Sequence, residues 1–253
     1  NGILLGSEEK IEALYETGVR YIQISVDGLK SEHDYMRGQG TFDKAKASIV
    51  ALKKKGFFVN SMTVLSRRNY QSLAELINFL FSIGVDLAAF ERMTPIGNAK
   101  ANADLLLDKY ELFLALRELD SLKKTNNIAI NDPLAVLFSN ELRAQCKSCE
   151  IPFSGCLSGI RNWAIDINGS LKLCTRLDKA FGKFLDVDWS MLFDNKDIQS
   201  LIFRNLDGEC KVCEFRNACG GCRAHASSEG HFLDQDPDCF KTENYYINFL
   251  ENR

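Results

Sequence analysis

The first 145 residues of this 253-residue chain contain no cysteine, and all nine cysteines lie between Cys146 and Cys239. The sequence also lacks an apolar run near the roughly 20 residues that cross a bilayer, and it opens without the regions of a secretion signal. These absences argue against a membrane protein and against an oxidising compartment. We therefore expect a cytoplasmic protein whose clustered thiols serve metal or redox chemistry rather than disulfides.

An excess of charge of one sign is missing as well. The chain has 31 Lys and Arg against 34 Asp and Glu, for a formal charge of −3. Binding of nucleic acid depends on clustered cations that neutralise phosphates, so we expect neither nucleic acid nor a membrane as a partner. The remaining composition, 45% hydrophobic and 26% charged, is ordinary for a globular protein.

The first hundred residues repeat one pattern, in which an amphipathic helix ends at a glycine and runs into a strand. The three helices "SEEKIEALYETG", "TFDKAKASIVALKKKG" and "NYQSLAELINFLFSIG" are followed by "VRYIQISV", "FFVNSMTVL" and "VDLAAFERM". Ser7 and Thr41 are the expected N-caps, and Gly56 is an expected stop. A helix–strand repeat of about thirty residues predicts an α/β fold with parallel strands, in a sheet or a barrel.

The carboxyl ends of such strands lie on one edge, where these folds bind ligands. The residues just beyond the ends are Asp27-Gly28, Leu65 to Asn69, and Thr94 to Gly97. Asn69 is predicted to cap a helix. Three units cannot close a barrel, so we expect the chain to be the latter part of a longer polypeptide.

The helix–strand repeat ends near residue 100. A helical pattern runs from Ala101 to about Leu122, "NNIAINDP" predicts a turn, and "LAVLFSNELRAQ" predicts another helix. In "RNWAIDINGSLKLC", alternation on either side of Asn168-Gly169 predicts a β-hairpin. We therefore expect a partial barrel at 1–125, a linker with the first cysteines at 126–155, and a small cysteine-rich domain at 156–253.

The cysteine spacing points to metal. The stretch "CKVCEFRNACGGC" places two CxxC pairs within thirteen residues, and a CxxC loop can present both sulfurs to one site. Zinc and iron–sulfur clusters both accept four thiolates, so spacing alone does not separate them. Nine cysteines are too many for one tetrahedral zinc, and they fit two four-thiolate sites with one cysteine spare.

Two patterns resemble a known family. The series Cys156, Gly169, Cys174, then "CKVCEFRNACGGC" and Cys239, resembles the SPASM domain appended to many radical S-adenosylmethionine (SAM) enzymes. Its "CGGCRA" and "DQDPDC" are closest to the tetrapyrrole-synthesis and cofactor-modifying branch. Independently, "YIQISVDGLKSEHDYMRGQGTFDKAKASIVALKKKG" and "FERMTPIGNA" are similar to parts of the radical SAM partial barrel, a (β/α)6 TIM-type fold.

The resemblance implies two auxiliary 4Fe-4S clusters with interleaved ligands. By position, the nearer cluster takes Cys149, Cys156, Cys174 and Cys222, and the farther one takes Cys210, Cys213, Cys219 and Cys239. Cys146 is spare, and the choice between Cys146 and Cys149 stays open. Ser25 and Arg37 occupy positions that imply contacts to the ribose and carboxylate of SAM.

The implied function is radical modification of a peptide or of a tetrapyrrole-like cofactor precursor, with electrons from a reductant such as ferredoxin or flavodoxin. The SAM-cleaving cluster needs a CxxxCxxC loop that this sequence does not contain. We therefore expect SAM and a third 4Fe-4S cluster in a full-length parent, and a chain that is inactive alone. The alternative is a non-catalytic module that binds zinc or carries electrons.

Single residues give weaker signals. Thr175 stands where sulfatase-maturating members have an aspartate, which argues against that activity. For His225 and His231 we prefer solvent-facing or supporting roles over ligation. Trp163 and Trp189 are expected in the core of the small domain.

Overall fold

The computed structural model describes residues 1–146 and 149–251 and divides the chain into two compact units. The first unit comprises Asn1–Met93 and Asp104–Asn131, and the second comprises Thr94–Ala103 and the chain from Asp132 onward. The predicted divisions near residues 125 and 155 stay predictions.

Both units contain short helices and strands. The helices are α1 (Glu8–Glu16), α2 (Lys30–Arg37), α3 (Thr41–Lys55), α4 (Leu73–Ser82), α5 (Asn98–Ala101), α6 (Lys109–Leu122), α7 (Asn140–Cys146), α8 (Trp189–Phe193), α9 (Lys196–Ile202), α10 (Arg223–Glu229) and α11 (Asn244–Glu251). The strands are β1 (Tyr21–Ser25), β2 (Phe58–Leu65), β3 (Leu87–Arg92), β4 (Ile128–Ile130), β5 (Ala164–Ile165), β6 (Ser170–Lys172) and β7 (Ala180–Lys183). Single 3-10 turns cover Ala103–Leu105, Pro133–Phe138, Phe184–Asp186 and Gly208–Cys210.

The first unit is built on a four-stranded parallel sheet in the order β1-β2-β3-β4. This confirms the predicted α/β class. The predicted turn in "NNIAINDP" is wrong at its centre, because Ile128–Ile130 pairs with β3 as a fourth strand. Parallel strands joined by helices bury both faces of the sheet, and here Ile24, Val59 and Phe90 are each at most 1% exposed.

The predicted helix ends are close to those observed. Ser7 is the N-cap of α1 and accepts a hydrogen bond from the Lys10 N–H. Gly56 ends α3 with φ +95°, as a left-handed C-cap. The predicted cap at Thr41 is displaced by one residue, because Gly40 is the N-cap and the Thr41 hydroxyl donates to the Gly38 carbonyl.

Two longer helices are shorter than predicted. The helix expected from Ala101 begins at Lys109, because Asp108 and Glu111 form a capping box that fixes its first turn. The helix expected in "LAVLFSNELRAQ" is split into a 3-10 segment, Pro133–Phe138, and α7.

The second unit contains the predicted hairpin, in which β5 pairs antiparallel with β6, and β7 extends it. Its apolar core includes ten buried residues, namely Leu171, Leu173, Leu177, Leu192, Ile198, Leu201, Leu206, Ala224, Phe232 and Leu233. None of the helices among the described residues has the length and apolar character needed to cross a bilayer.

Candidate functional site

The carboxyl edge of the parallel sheet is organised around Asp27. Its Oδ1 accepts from the Val64 N–H at 2.9 Å, and its Oδ2 lies 2.5 Å from Nε of Arg37. The Asp27 N–H donates to Nδ1 of His33 at 3.2 Å. Asp27 is 2% exposed, so its carboxylate is compensated by one cation and one backbone donor.

Asn69 joins the ends of two strands at the same edge. Its Nδ2 donates to the carbonyls of Asp27 and Val64, both at 2.8 Å, and its Oδ1 accepts from the Ser66 N–H. The predicted helix-capping role is wrong, because Ser72 holds the N-cap position of α4. Asn69 is fully buried and instead fixes the geometry of the edge.

The two residues predicted to contact SAM lie near this edge. Ser25 is the last residue of β1, opposite Met62, and is half-buried. Arg37 ends α2 and has its Nε on the Asp27 carboxylate, with 28% of its side chain exposed. A guanidinium has five N–H donors, so this ion pair leaves Arg37 with donors for a further acceptor.

Four of the predicted ligands surround one cavity in the second unit. Cys210, Cys213, Cys219 and Cys239 line a space of about 340 Å³, part of it open to solvent. The wall also contains apolar side chains and the backbone of Gly220 and Gly221, which adopt φ of +65° and +56°. These left-handed angles turn the chain sharply between Cys219 and Cys222, and glycine adopts them without strain.

Burial is the main influence on the pKa of two thiols of this cavity, Cys219 and Cys239. Burial raises the pKa of Cys219 well above its usual range and raises that of Cys239 to about 11. The Gly221 N–H donates to Sγ of Cys219 at 3.3 Å, and Nζ of Lys241 lies 3.7 Å from Sγ of Cys213. Metal ligation needs thiolates, so an ion or cluster bound here would displace these protons.

Cys156 and Cys222 lie next to each other in the chain's second set of thiols. The backbone N–H of Arg223 donates to the Cys156 sulfur. Although burial alone would raise the pKa of Cys156, hydrogen bonds from Ser158 and Arg223 and the charge of Arg223 lower it. Cys174 and Cys222 pack against the same apolar core, as does Cys210 of the other set. The contact that distinguishes the nearer set is therefore that of Cys156 with the residue after Cys222.

The first two cysteines are less clearly placed. Sγ of Cys149 donates to the Ile151 carbonyl at 3.0 Å, and the Cys149 carbonyl accepts from Asn217. Cys146 is 8% exposed, and burial raises the pKa of its thiol, with a smaller contribution from the nearby Cys149. The choice between these two ligands therefore stays open.

A further polar group lies beside the second set. His225, Asp236 and Asp238 have ligand atoms within 4.8 Å of one another. The Asp236 Oδ2 accepts from the Cys222 N–H at 2.6 Å, and its Oδ1 accepts from Asp238. Of the two roles expected for His225, its position fits the supporting one and not the solvent-facing one, because it is 4% exposed and its Nδ1 lies 2.8 Å from Asp238. His231 is exposed, as expected.

The two tryptophans differ in burial. Trp163 packs against the apolar core of the unit, as predicted. Trp189 is 41% exposed and meets Trp163 edge-on at 6.0 Å, so its predicted core position is wrong.

The sequence predictions did not include Arg204 and Arg223, which are both 1% exposed. Only Arg223 had a local signal, its place directly after a CxxC.

Comparisons with known proteins bear on the family and on the fold. Residues 1–80 match the model of the radical SAM superfamily. This match covers about the first third of the chain. It is 26% identical over 255 aligned residues to an AdoMet-dependent heme synthase of Methanosarcina barkeri, covering 94% of this chain and 72% of that protein. It is 25% identical to a pre-heme d1 synthase of Dinoroseobacter shibae, covering 92% of this chain and 64% of that protein.

The solved structures confirm the predicted fold. The structure of anSMEcpe with bound AdoMet and Cp18Cys peptide superimposes with a TM-score of 0.67 at 20% identity, covering all of this chain and 75% of that one. The predicted resemblance to radical SAM enzymes and the predicted enzyme class are confirmed.

Proposed function

We propose that this chain is part of a radical SAM/SPASM enzyme in which its cysteines hold two auxiliary 4Fe-4S clusters. The observation that carries the proposal is the cavity lined by Cys210, Cys213, Cys219 and Cys239. Four thiolates are the usual ligand set of such a cluster. These four are also the set that the family resemblance assigns to the farther cluster.

The separation of the thiols favours a cluster over zinc. Zinc holds four sulfurs at about 2.3 Å in a tetrahedron, which brings the sulfurs to about 3.8 Å from one another. Within residues 1–146 and 149–251, no three thiols lie within 4.8 Å of each other. As they stand, these thiols are too far apart to hold one tetrahedral ion, which disfavours the zinc module predicted as the alternative.

For the nearer cluster we propose Cys156, Cys174 and Cys222 with Cys149, the last being interchangeable with Cys146. Support comes from the contact between Cys156 and the Cys222–Arg223 segment and from the lowered pKa of Cys156, which favours the thiolate. When bound, 4Fe-4S clusters supply one-electron redox chemistry. A reductant such as ferredoxin or flavodoxin is the proposed electron donor.

At the sheet edge we propose that Ser25 and Arg37 contact SAM. Arg37 is oriented by its ion pair with Asp27, and its remaining donors can bind a carboxylate. The SAM-cleaving cluster itself is proposed for the full-length protein.

The proposed substrate is a tetrapyrrole-like cofactor precursor. Support comes from the relatives named heme synthase and pre-heme d1 synthase, which align with more than nine-tenths of this chain. A peptide is the second candidate, because the anSMEcpe structure contains one. Titration of the protein with an iron porphyrin and with a cysteine-containing peptide separates them, since only a bound porphyrin shifts its own absorption band.

The cluster assignment is tested by two cysteine variants. Anaerobically reconstituted wild type is expected to contain about eight irons and eight sulfides per chain. Cys219→Ala should remove about four irons and leave the nearer cluster, whereas Cys222→Ala should remove the other four. Zinc with no broad visible absorption would reject the proposal, and loss of the same cluster in both variants would reject the interleaving.

A further inference from the structure

Arg204 occupies an unusual position two residues beyond α9. Its side chain is among the largest fully buried ones, with 1% of the residue exposed. Its backbone has φ +53°, and among the described residues no other non-glycine residue has a positive φ. Non-glycine residues in this region are strained, and such strain tends to persist at functional sites.

The Arg204 guanidinium lies between the two sets of cysteines. Its Nη2 donates to the Cys156 carbonyl at 2.5 Å and to the Ser154 carbonyl at 3.2 Å. On the other side its Nη1 packs on Gly220, where a Cβ added to the glycine would stand 1.4 Å away. Gly220 follows Cys219 and leads to Cys222, so one guanidinium adjoins ligands of both proposed clusters.

This cation lacks a carboxylate partner in the part of the chain that the structure describes. None of the ion pairs there involves Arg204, and its buried Nε has no hydrogen-bond partner. Burial lowers the pKa of Arg204, whereas the nearby Cys156 and Cys219 sulfurs raise it. An isolated buried charge is costly, and a guanidinium stays charged in proteins. The compensating negative charge must therefore come from thiolates and from the anionic group that they hold.

The geometry points to Arg204 as the shared counter-cation of both cysteine sites, with its free Nε–H directed to an acceptor that the clusters supply. This inference rests on the proposed function. A fixed positive charge stabilises the more negative, reduced form of a cluster, and its strength is greatest where water is excluded. Arg204 should thus raise the reduction potentials of both clusters together.

The test compares four chains, each reconstituted anaerobically with iron and sulfide. They are wild type, Arg204→Met, Arg204→Lys and Arg216→Met. Arg204→Lys keeps the charge, and Arg216→Met is the control, because Arg216 lines the cavity of the farther cysteine set but is exposed to solvent. Iron content is measured first, and midpoint potentials follow from redox titration monitored by electron paramagnetic resonance.

Arg204→Met is expected to make reduction of both clusters at least about tenfold less favourable, which is about 59 mV or more for a one-electron couple. Arg204→Lys should shift the potentials by less than half as much, because it keeps the charge. Arg216→Met should change the reduction equilibrium less than about threefold, because water screens an exposed charge. Unchanged potentials in Arg204→Met, or a shift matched by Arg216→Met, would overturn the inference.

If Arg204→Met binds no iron, the stability of its apoprotein, measured by urea unfolding, decides between the two roles. An apoprotein at least as stable as wild type supports the counter-cation role, because an unpaired buried charge does not stabilise the empty fold. A less stable apoprotein would assign Arg204 a structural role and overturn the inference. Wild type without iron would instead reject the proposed function, and with it the basis for this step.

Discussion

Gly155 packs directly against the backbone of Ala218 and Cys219, and its replacement by alanine has a calculable cost. A Cβ at Gly155 would stand 2.0 Å from the Cys219 carbonyl oxygen and 2.5 Å from that of Ala218. Backbone atoms cannot rotate away, so the segments must separate. This breaks the hydrogen bond from the Cys156 N–H to the Cys219 carbonyl, which is 3.1 Å long.

The expected loss has two parts. The residue at φ +70° costs about 1 kcal/mol once it has a side chain. The clash and the lost hydrogen bond add about 2–3 kcal/mol. Gly169→Ala is the matched control, because Gly169 has φ +79° in the same unit, but a Cβ added there would meet nothing within 4 Å. It should lose only the first part.

Urea unfolding of both apoproteins, followed by tryptophan fluorescence, measures the difference, since Trp163 and Trp189 both lie in the second unit. Reconstitution then compares the iron retained. Gly155→Ala should bind less iron than Gly169→Ala, because the Cys219 carbonyl can no longer stay in place. Equal destabilisation of the two variants would refute the argument that this contact fixes the site.

Three further changes test the first unit. Asn69→Leu should reduce the free energy of unfolding by about 3 kcal/mol, because three buried side-chain hydrogen bonds are lost. Asn127→Leu, in the same unit, should cost about 1 kcal/mol, because Asn127 is exposed and its side chain donates one hydrogen bond; urea midpoints decide. Burial lowers the pKa of His33 in the folded protein. As the pH falls, His33 is therefore protonated in the unfolded chain before it is protonated in the folded one. The free energy of unfolding should thus decrease below about pH 6.5. His33→Gln should remove that fall in urea midpoints measured from about pH 8 to 5. Asp108→Ala should cost about 1 kcal/mol through loss of the capping box, and an unchanged melting temperature would contradict it.

Local patterns predicted the elements that depend on local chemistry. The amphipathic pattern of "TFDKAKASIVALKKKG" predicts a helix with one apolar face, and in α3 the apolar residues Ile49 and Leu52 are fully buried. The strand Ile128–Ile130 was missed because its neighbours Asn126 and Asn127 favour a turn, while the pairing that makes it a strand comes from β3, about forty residues earlier.

The same division holds at the candidate site. A CxxC pair spans only four consecutive residues, so the metal-binding region could be predicted from local sequence. Burial of Arg204 could not, because its partner Cys156 lies 48 residues away in the sequence. Likewise, the sequence predicts that Asp27 and Asn69 both lie at the sheet edge. It does not predict the hydrogen bond between them, because that bond forms only when two strands pair.

The two cysteine segments are held together by more than the cysteines. The Phe153 N–H donates to the Asn217 carbonyl, and the Asn217 side chain donates back to the Cys149 carbonyl. With the bond between Cys156 and Cys219, these contacts align residues 149–156 with residues 217–219. Ligands of one proposed cluster therefore lie on backbone that positions ligands of the other. Binding of iron at either site should accordingly favour binding at the other, because each fixes the same paired segments. Each single-cysteine variant should then hold its remaining cluster more weakly than wild type, and iron release to a chelator measures this directly.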